Sequence, residues 1–236
     1  MIDTHRPELS TVRITALKPQ AHHPDRVNVY VDGEFRCGLA LEIAYGGGLR
    51  VGDEVAEATL AALEREDLLW KAREAALNLL SYRARSEAEL RQRLRRKDYP
   101  DDIVEACVAE LVEKGFVDDA AFAASFVRDR VRGKPRGARR LVQELRAKGV
   151  APETAAAAVD GTLEAEEVTE LGMAREVAAG WARRSLGRQT ARRAGGDPAE
   201  DRLAARRRLY GYLARRGFSG EVIRTVMEEV LPHRGD

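Results

Sequence analysis

Leu90–Val104 reads LRQRLRRKDYPDDIV, and Leu141–Ala155 reads LVQELRAKGVAPETA. The two stretches align without a gap at an offset of 51 residues, which places Leu94 opposite Leu145. A third copy, LYGYLARRGFSGEVI, spans Leu209–Ile223 at a further offset of 68 residues. In each copy a basic helix ends in a turn and a second helix follows. Repetition of one supersecondary unit predicts a mainly α fold of tandem three-helix repeats in an elongated array.

The repeats and the region before them divide the sequence into four predicted segments. A small N-terminal β-hairpin segment occupies residues 1–55, and three-helix repeats occupy residues 56–117, 118–162 and 163–236. A linker near Gly187–Pro198 accounts for the longer offset of the third copy. Helical arrays of this kind typically bind long, repetitive partners, which favours a binding protein over an enzyme.

Alternating apolar residues predict strands within residues 11–39, and Asp32-Gly33 marks the hairpin. A two-residue loop would pair Val29 with Arg36 and put the two apolar rows on opposite faces. A three-residue loop with a glycine bulge would pair Val29 with Phe35. We expect the three-residue loop, because it gives the hairpin a single apolar face.

Helix boundaries recur at the same position of each copy. Ser86-x-x-Glu89 forms a capping box that opens the second helix of the first repeat. That helix ends near Asp98, where the other two copies have Gly149 and Gly217. A residue that ends a helix often takes a left-handed conformation, which Gly adopts freely and Asp tolerates. The sequence therefore predicts three equivalent left-handed turns.

Apolar residues at equivalent positions of the copies predict the core between the helices. The predicted core residues are Leu94, Leu145 and Leu213, with Tyr99, Val150 and Phe218 packing beside them. Cys107 shares an apolar helix face with Val104 and Leu111, so we expect an inert, buried thiol. Cys37 is the other cysteine of the chain, and two cysteines are too few for a disulfide framework.

The net charge of +1 conceals a segregation of charge along the chain. Arg83–Lys97 has seven basic residues against two acidic ones, Arg128–Lys148 nine against two, and Arg183–Arg216 eleven against three. Between the first two basic stretches, Asp98–Asp119 has eight carboxylates against Lys114 alone. A balanced total therefore does not exclude a polyanionic partner.

Basic residues concentrate around the GKPRG turn at Gly133–Gly137 and in the third copy. Arginine suits bidentate contact with carboxylates or phosphates, and the turn would hold several arginines near a helix N-terminus. The candidate partner-binding residues are Arg128, Arg132, Lys134, Arg136, Arg139, Arg140, Arg206, Arg207, Arg208, Arg215 and Arg216. The arginines between residues 91 and 96 surround their helix, so they cannot all face one partner.

Other motifs argue against an enzyme, a metal site and a membrane span. Asp101-Asp102 and Asp118-Asp119 each begin a helix, where capping and the helix dipole account for them. Gly133-Lys134 lacks the upstream glycine of a phosphate-binding loop, and His22-His23 lacks further metal ligands. We expect no cofactor, no metal and no membrane association. The lack of a long apolar stretch and of a signal sequence favours a reducing cytoplasm.

Several motifs, taken in order, are characteristic of one family. They are Ala76-Leu77-x-x-Leu80, Ser86-x-x-Glu89-Leu90-x-x-x-Leu94, Leu111-x-x-x-Gly115-Phe116-Val117-Asp118-Asp119, Gly137-x-x-x-Leu141-x-x-Glu144-Leu145-x-x-Lys148-Gly149-Val150 and Leu213-Ala214-Arg215-Arg216-Gly217-Phe218-Ser219. As a set they resemble the RecX family, regulators of the RecA recombinase, over residues 70–231. Asp98-Tyr99 departs from the family pattern, which has a glycine-containing turn there.

The resemblance implies an elongated, non-enzymatic module that lies in the groove of the RecA–DNA filament. It implies inhibition of the filament's ATPase, strand-exchange and co-protease activities. We expect a monomer whose contacts with single- or double-stranded DNA are weak or made through the filament. The alternative is a direct DNA-binding transcriptional regulator, since three-helix units with a basic middle helix could enter a DNA groove.

Overall fold

The computed structural model describes residues 10–189 and 198–232. The described part confirms the predicted mainly α fold of three-helix repeats with an N-terminal β segment. It forms two compact units, one of residues 10–83 and 90–116 and the other of residues 84–89, 117–189 and 198–232. Each repeat contains three helices.

The N-terminal segment is a four-stranded antiparallel sheet with the strand order β3-β2-β1-β4, which is larger than the expected hairpin. Its strands are β1 (Thr11–Gln20), β2 (His23–Val31), β3 (Glu34–Ala40) and β4 (Glu54–Ala56). A short helix that the sequence did not predict, α1 (Leu41–Gly46), follows β3. One face of the sheet packs against the helix that follows β4 and buries Ile14, Val29 and Leu39 with Leu60.

The expected hairpin register is wrong. Asp32 and Gly33 both have positive φ angles, 50° and 93°, and form a two-residue turn rather than the three-residue loop. This turn suits the twist of the flanking strands, because Asp-Gly tolerates positive φ at both positions. An irregularity after the pair Tyr30–Phe35 then shifts the register, so Val29 pairs with Cys37. The bulge restores the single apolar face that the three-residue loop was expected to provide.

Nine helices of the described residues form the repeats. They are α2 (Glu57–Tyr82), α3 (Glu87–Arg95), α4 (Asp101–Glu113), α5 (Asp119–Gly133), α6 (Ala138–Arg146), α7 (Pro152–Ala165), α8 (Glu170–Gln189), α9 (Pro198–Arg215) and α10 (Gly220–Val230). Helix α8 extends to Gln189, into the predicted linker, and the rest of that linker up to Pro198 lies outside the described residues.

The predicted turns, caps and core are confirmed. Asp98, Gly149 and Gly217 have φ angles of 61°, 84° and 82°, so all three turns are left-handed. The Glu89 amide donates a hydrogen bond to Ser86 Oγ at 3.2 Å, as the capping box requires. The core leucines of the three copies, Leu94, Leu145 and Leu213, are fully buried.

The surroundings of both cysteine thiols make them unreactive. Cys107 is fully buried, and this burial raises the pKa of its thiol to about 11. Cys37 is half-buried on β3, and burial raises the pKa of its thiol to about 12, with the nearby Glu64 carboxylate adding to the shift. Because the thiolate is the nucleophile, raised pKa values keep both groups protonated and inert.

Candidate functional site

The N-terminus of α6 and the turn between α9 and α10 meet at backbone distance. The Gly137 amide donates a hydrogen bond to the Arg216 carbonyl oxygen at 2.9 Å. A Cβ atom on Gly137 would lie 2.2 Å from a backbone oxygen of that turn, so only glycine fits. Glu170, the first residue of α8, accepts hydrogen bonds at Oε1 from the Ala138 and Ser219 amides, each at 3.3 Å.

A closely similar arrangement occurs one repeat earlier. Ser86 Oγ, at the start of α3, donates a hydrogen bond to the Lys148 carbonyl oxygen at 2.5 Å. Asp119, which stands 51 residues before Glu170, accepts a hydrogen bond at Oδ1 from the Glu87 amide at 2.9 Å. We call these two arrangements the inter-repeat joints. Both lie within the second compact unit, and the joint at Gly137 fixes the basic helix α6 against the third repeat.

Two carboxylates form ion pairs with five of the arginines around the GKPRG turn. Glu166 pairs with Arg128 at 3.0 Å and with Arg132 at 2.9 Å. The hydrogen bond from Arg132 is the main reason that the pKa of Glu166 lies below its ordinary value. Glu144 pairs with Arg130 at 3.3 Å, Arg136 at 3.2 Å and Arg140 at 3.1 Å. Four of the candidate cations therefore share a carboxylate. Arg128 and Arg132 share Glu166, and Arg136 and Arg140 share Glu144 with Arg130.

Arg206, another candidate, connects two helices of the third repeat. Its side chain is only 12% exposed, and it pairs with Glu228 at 2.6 Å. It also donates a hydrogen bond to the Leu231 carbonyl oxygen. These contacts hold α9 to α10, so the structure gives Arg206 a packing role within its own repeat.

The remaining candidates on these helices face solvent more openly. Lys134, Arg139, Arg207 and Arg215 are exposed and make no ion pair with any residue that the structure describes. Arg208 is exposed as well. Cations without an internal carboxylate are the ones that can bind an external anion at the lowest cost in lost contacts.

Two of these exposed arginines line a cleft of about 700 Å³ between α6, α9 and the start of α10. Arg139 and Arg140 supply one wall, and Arg215 and the half-exposed Tyr210 supply another. Phe218 forms part of the lining and is itself 4% exposed. We call this the α6–α9 cleft. Its basic and aromatic lining can bind carboxylate or phosphate groups.

A second cleft, of about 440 Å³, lies between the GKPRG turn, α8 and α9. Its lining contains four cations, Lys134, Arg183, Arg184 and Arg216, together with the carboxylate of Glu176 and the ring of Tyr212. We call this the α8–α9 cleft. The two clefts bring together five of the eleven sequence-predicted residues, namely Lys134, Arg139, Arg140, Arg215 and Arg216.

Sequence reasoning missed four residues of these clefts, Tyr210, Tyr212, Arg183 and Arg184. A usable signal existed for one pair, because Tyr212 and Arg216 stand at i and i+4, the spacing that brings side chains together on a helix. The guanidinium of Arg216 lies over the Tyr212 ring, 4.5 Å from its centroid. The basic stretch Arg183–Arg216 contains Arg183 and Arg184, but no local pattern placed them at this cleft, since they reach it from a different helix.

The described residues provide neither a metal site nor a membrane-spanning helix. Across residues 10–189 and 198–232, no three His, Cys, Asp or Glu side chains come together in an arrangement that could hold a metal ion. Over the same described ranges, no helix is both long and apolar enough to cross a membrane.

Protein-family models match four parts of the chain. The Regulatory protein RecX N-terminal domain matches residues 12–56, and the first, second and third three-helix domains of RecX match residues 72–111, 118–159 and 185–227. The Regulatory protein RecX of Thermobifida fusca is 41% identical over 166 residues, which cover 70% of this chain and 82% of that protein. The Regulatory protein RecX of Clostridium botulinum strain Eklund 17B is 28% identical over 93% of this chain and 96% of that protein.

Solved structures are similar to this chain over most of its length. A crystal structure of regulatory protein RecX superposes with a TM-score of 0.67 at 25% identity, covering 92% of this chain and 99% of that one. RecX from Lactobacillus salivarius superposes with a TM-score of 0.55 at 23% identity and shares the fold. From these matches and the three-helix repeats, we conclude that the chain belongs to the RecX family of regulatory proteins.

Proposed function

We propose that this protein regulates the RecA recombinase by lying in the groove of the RecA–DNA filament. There it inhibits the ATPase, strand-exchange and co-protease activities of the filament. It acts as a cytoplasmic monomer without enzymatic activity or a cofactor, and it meets DNA weakly or through the filament. Membership of the RecX family supports a regulatory role, and the cationic surface of the second compact unit supports a partner that is negatively charged.

The pair of inter-repeat joints is the observation that carries this proposal. Because Gly137 and the turn at Arg216 touch through their backbones, the basic helix α6 cannot slide against the third repeat. The joint at Ser86 and Lys148 fixes the start of α3 against the second repeat in the same way. A filament presents the same surface at regular intervals, so basic residues held at fixed positions within the second compact unit can make several modest contacts at once.

Within that surface, the α6–α9 cleft is the proposed contact with the filament. Arg139 and Arg215 make no ion pair with any described residue, so binding an external carboxylate or phosphate breaks no internal salt bridge. Arg140 has Glu144 as a partner and contributes less. The two exposed guanidiniums are therefore the strongest candidates for direct contact.

The test is the single-stranded-DNA-dependent ATPase activity of RecA, titrated with the purified protein at fixed physiological salt. We expect inhibition. Inhibition well below one protein per RecA protomer favours capping of filament ends or cooperative disassembly, and inhibition only near saturation favours coating of the groove. No inhibition by a folded preparation contradicts the proposal.

The alternative, a transcriptional regulator that binds DNA directly, is supported by the exposed cations of α6, among them Arg139 and Arg146. Binding to bare duplex DNA would weaken steeply with salt, by about 0.9 in the log–log slope for each phosphate contact. Filament binding instead requires RecA and its nucleotide. A fluorescence-anisotropy titration with duplex DNA across a range of salt concentrations, with and without RecA, separates the two.

A further inference from the structure

The α8–α9 cleft gathers cations that have no carboxylate partner among the described residues. Arg184 Nη2 donates a hydrogen bond to Tyr212 Oη at 3.2 Å, and Arg216 Nη2 donates to the same oxygen at 2.8 Å. Arg183 and Lys134 are exposed in the lining and make no ion pair with any described residue. Glu176, the carboxylate of the lining, makes no ion pair with any described residue, so four cations face one carboxylate and the cleft keeps a net positive charge that attracts an anion.

The second repeat has a carboxylate at the position that Tyr212 occupies in the third repeat. Tyr212 stands 68 residues after Glu144, so the two residues occupy equivalent positions of the third and second repeats. Glu144 forms ion pairs of 3.1 to 3.3 Å with three arginines of its repeat and so supplies one negative charge among them. Tyr212 takes two hydrogen bonds from arginines in the same manner, but a neutral phenol adds no negative charge.

Arg216 also has no carboxylate partner among the described residues, although the residue at the equivalent position of the second repeat has one. The equivalent residue one repeat earlier, Lys148, pairs with Glu89 at 3.0 Å. At the second joint the position equivalent to Glu89 is Arg140, a cation, so this ion pair has no equivalent there. Arg216 lies over Tyr212 instead, and its Nε atom is buried without a hydrogen-bond partner.

We propose that the α8–α9 cleft is a binding site for a phosphate group. Arg183, Arg184 and Lys134 would bind the phosphate oxygens, since guanidinium and ammonium groups are the side chains that bind phosphate most strongly. The Tyr212 hydroxyl accepts two hydrogen bonds and keeps its own proton to donate to an anion. A volume of about 440 Å³ admits either a small phosphorylated molecule or the phosphorylated end of a nucleic acid strand.

The test uses the full chain without RecA, so its result is independent of the proposed filament binding. Isothermal titration calorimetry is run with pyrophosphate at constant ionic strength, made up with chloride. We expect binding with a Kd below about 1 mM. Arg183→Gln with Arg184→Gln should weaken it about tenfold or more, because two exposed charge-assisted contacts are lost.

Two further variants separate a site from general positive charge. Arg202→Gln with Arg224→Gln removes the same charge from exposed positions outside the cleft and should leave binding within about twofold of the parent. Tyr212→Glu places in the third repeat the carboxylate that Glu144 supplies in the second, and should abolish pyrophosphate binding in a chain whose circular dichroism is unchanged. Equal binding by the parent and the Arg183–Arg184 variant, or no binding of any phosphate probe by the parent, overturns the proposal.

The source of the phosphate is read from two further titrations. ATP binding more tightly than pyrophosphate indicates a nucleotide. A short oligonucleotide that binds more tightly with a 5′-phosphate than without one, and more tightly than ATP, indicates a nucleic acid end. Either outcome supports the site, provided that the Arg183→Gln and Arg184→Gln changes reduce the binding.

Discussion

Asp67 is a single carboxylate that joins a helix to the sheet. It is 2% exposed, pairs with Arg26 at 2.9 Å and accepts a hydrogen bond from the Ala40 amide at 2.8 Å. Lys71, one turn further along α2, pairs with it at 2.7 Å. Burial by itself raises the pKa of Asp67, but the hydrogen bonds from Arg26, Lys71 and Ala40 outweigh burial and hold that pKa below the ordinary value of 3.8.

We predict that Asp67→Asn lowers the free energy of unfolding by about 3 kcal/mol near neutral pH, because it leaves the buried Arg26 guanidinium without a counter-charge. A lowered pKa means that the carboxylate stabilises the fold above pH 3.8 and that this contribution is lost as the pH falls through the lowered pKa. The difference between parent and variant should therefore shrink in acid. Urea denaturation over a descending pH series measures both effects.

Glu64→Gln is the matched control for this prediction. Glu64 pairs with Arg36 at 2.8 Å across the same helix and sheet, but both side chains are about a third exposed. Its loss should cost less than about 1 kcal/mol. A cost for Asp67→Asn no larger than for this control, or one that stays constant as the pH falls, would contradict the role given to Asp67.

At the scale of helices and turns, the joint at Gly137 places one backbone directly on another. Gly137 has an ordinary φ of −65°, so glycine is required there by contact and not by backbone conformation. Gly115 is the opposite case, since its φ of 73° is left-handed and nothing lies within 4 Å of an added Cβ. Comparing substitutions at Gly137 and Gly115 therefore distinguishes the effect of steric contact from the effect of backbone strain.

We predict that Gly137→Ala opens the joint between α6 and the third repeat, because its methyl group would overlap the turn at 2.2 Å. The loss of stability should be about 1–3 kcal/mol, with faster hydrogen exchange of the residue 137 amide, which bonds to the Arg216 carbonyl oxygen. Gly115→Ala should cost about 1–2 kcal/mol through strain alone and leave that exchange rate unchanged. Exchange followed by NMR distinguishes them, and an unchanged residue 137 amide in Gly137→Ala would refute the joint.

Over the whole molecule, 40 basic and 39 acidic side chains nearly balance, yet the acids are not distributed evenly. Glu144 and Glu166 between them pair with five arginines of the second repeat. Arg139 and Arg215 have no such partner among the described residues and line the α6–α9 cleft. The net charge of +1 therefore says little about the charge that a partner meets.

We predict that Arg139→Glu with Arg215→Glu abolishes most of the inhibition of the RecA ATPase, because both changes reverse unpaired charge in the proposed contact. Neither side chain is buried, so the unfolding transition should remain within about 0.5 kcal/mol of the parent. The control, Arg96→Glu with Lys97→Glu, makes the same change in net charge at exposed positions of the first repeat. Full inhibition by the folded Arg139–Arg215 variant would remove this cleft from the contact.

The amino-acid sequence by itself determined the number of repeats, the left-handed turns at Asp98, Gly149 and Gly217, and the buried leucines. These features follow from periodicity and from backbone preferences that act within a few residues, so they can be predicted without knowing the packing. The sequence also located the basic stretches. It did not indicate which of their arginines are available, since that depends on partners far along the chain.

Only the tertiary structure decided which cations form ion pairs with carboxylates and which line a cleft. Arg132 meets Glu166 across 34 residues, and Arg184 meets Tyr212 across 28, through packing of separate helices. The bulge that pairs Val29 with Cys37 likewise came from a competition between turn geometry and burial of one sheet face. Such contacts depend on where whole helices and strands settle, and no local pattern of residues specifies that.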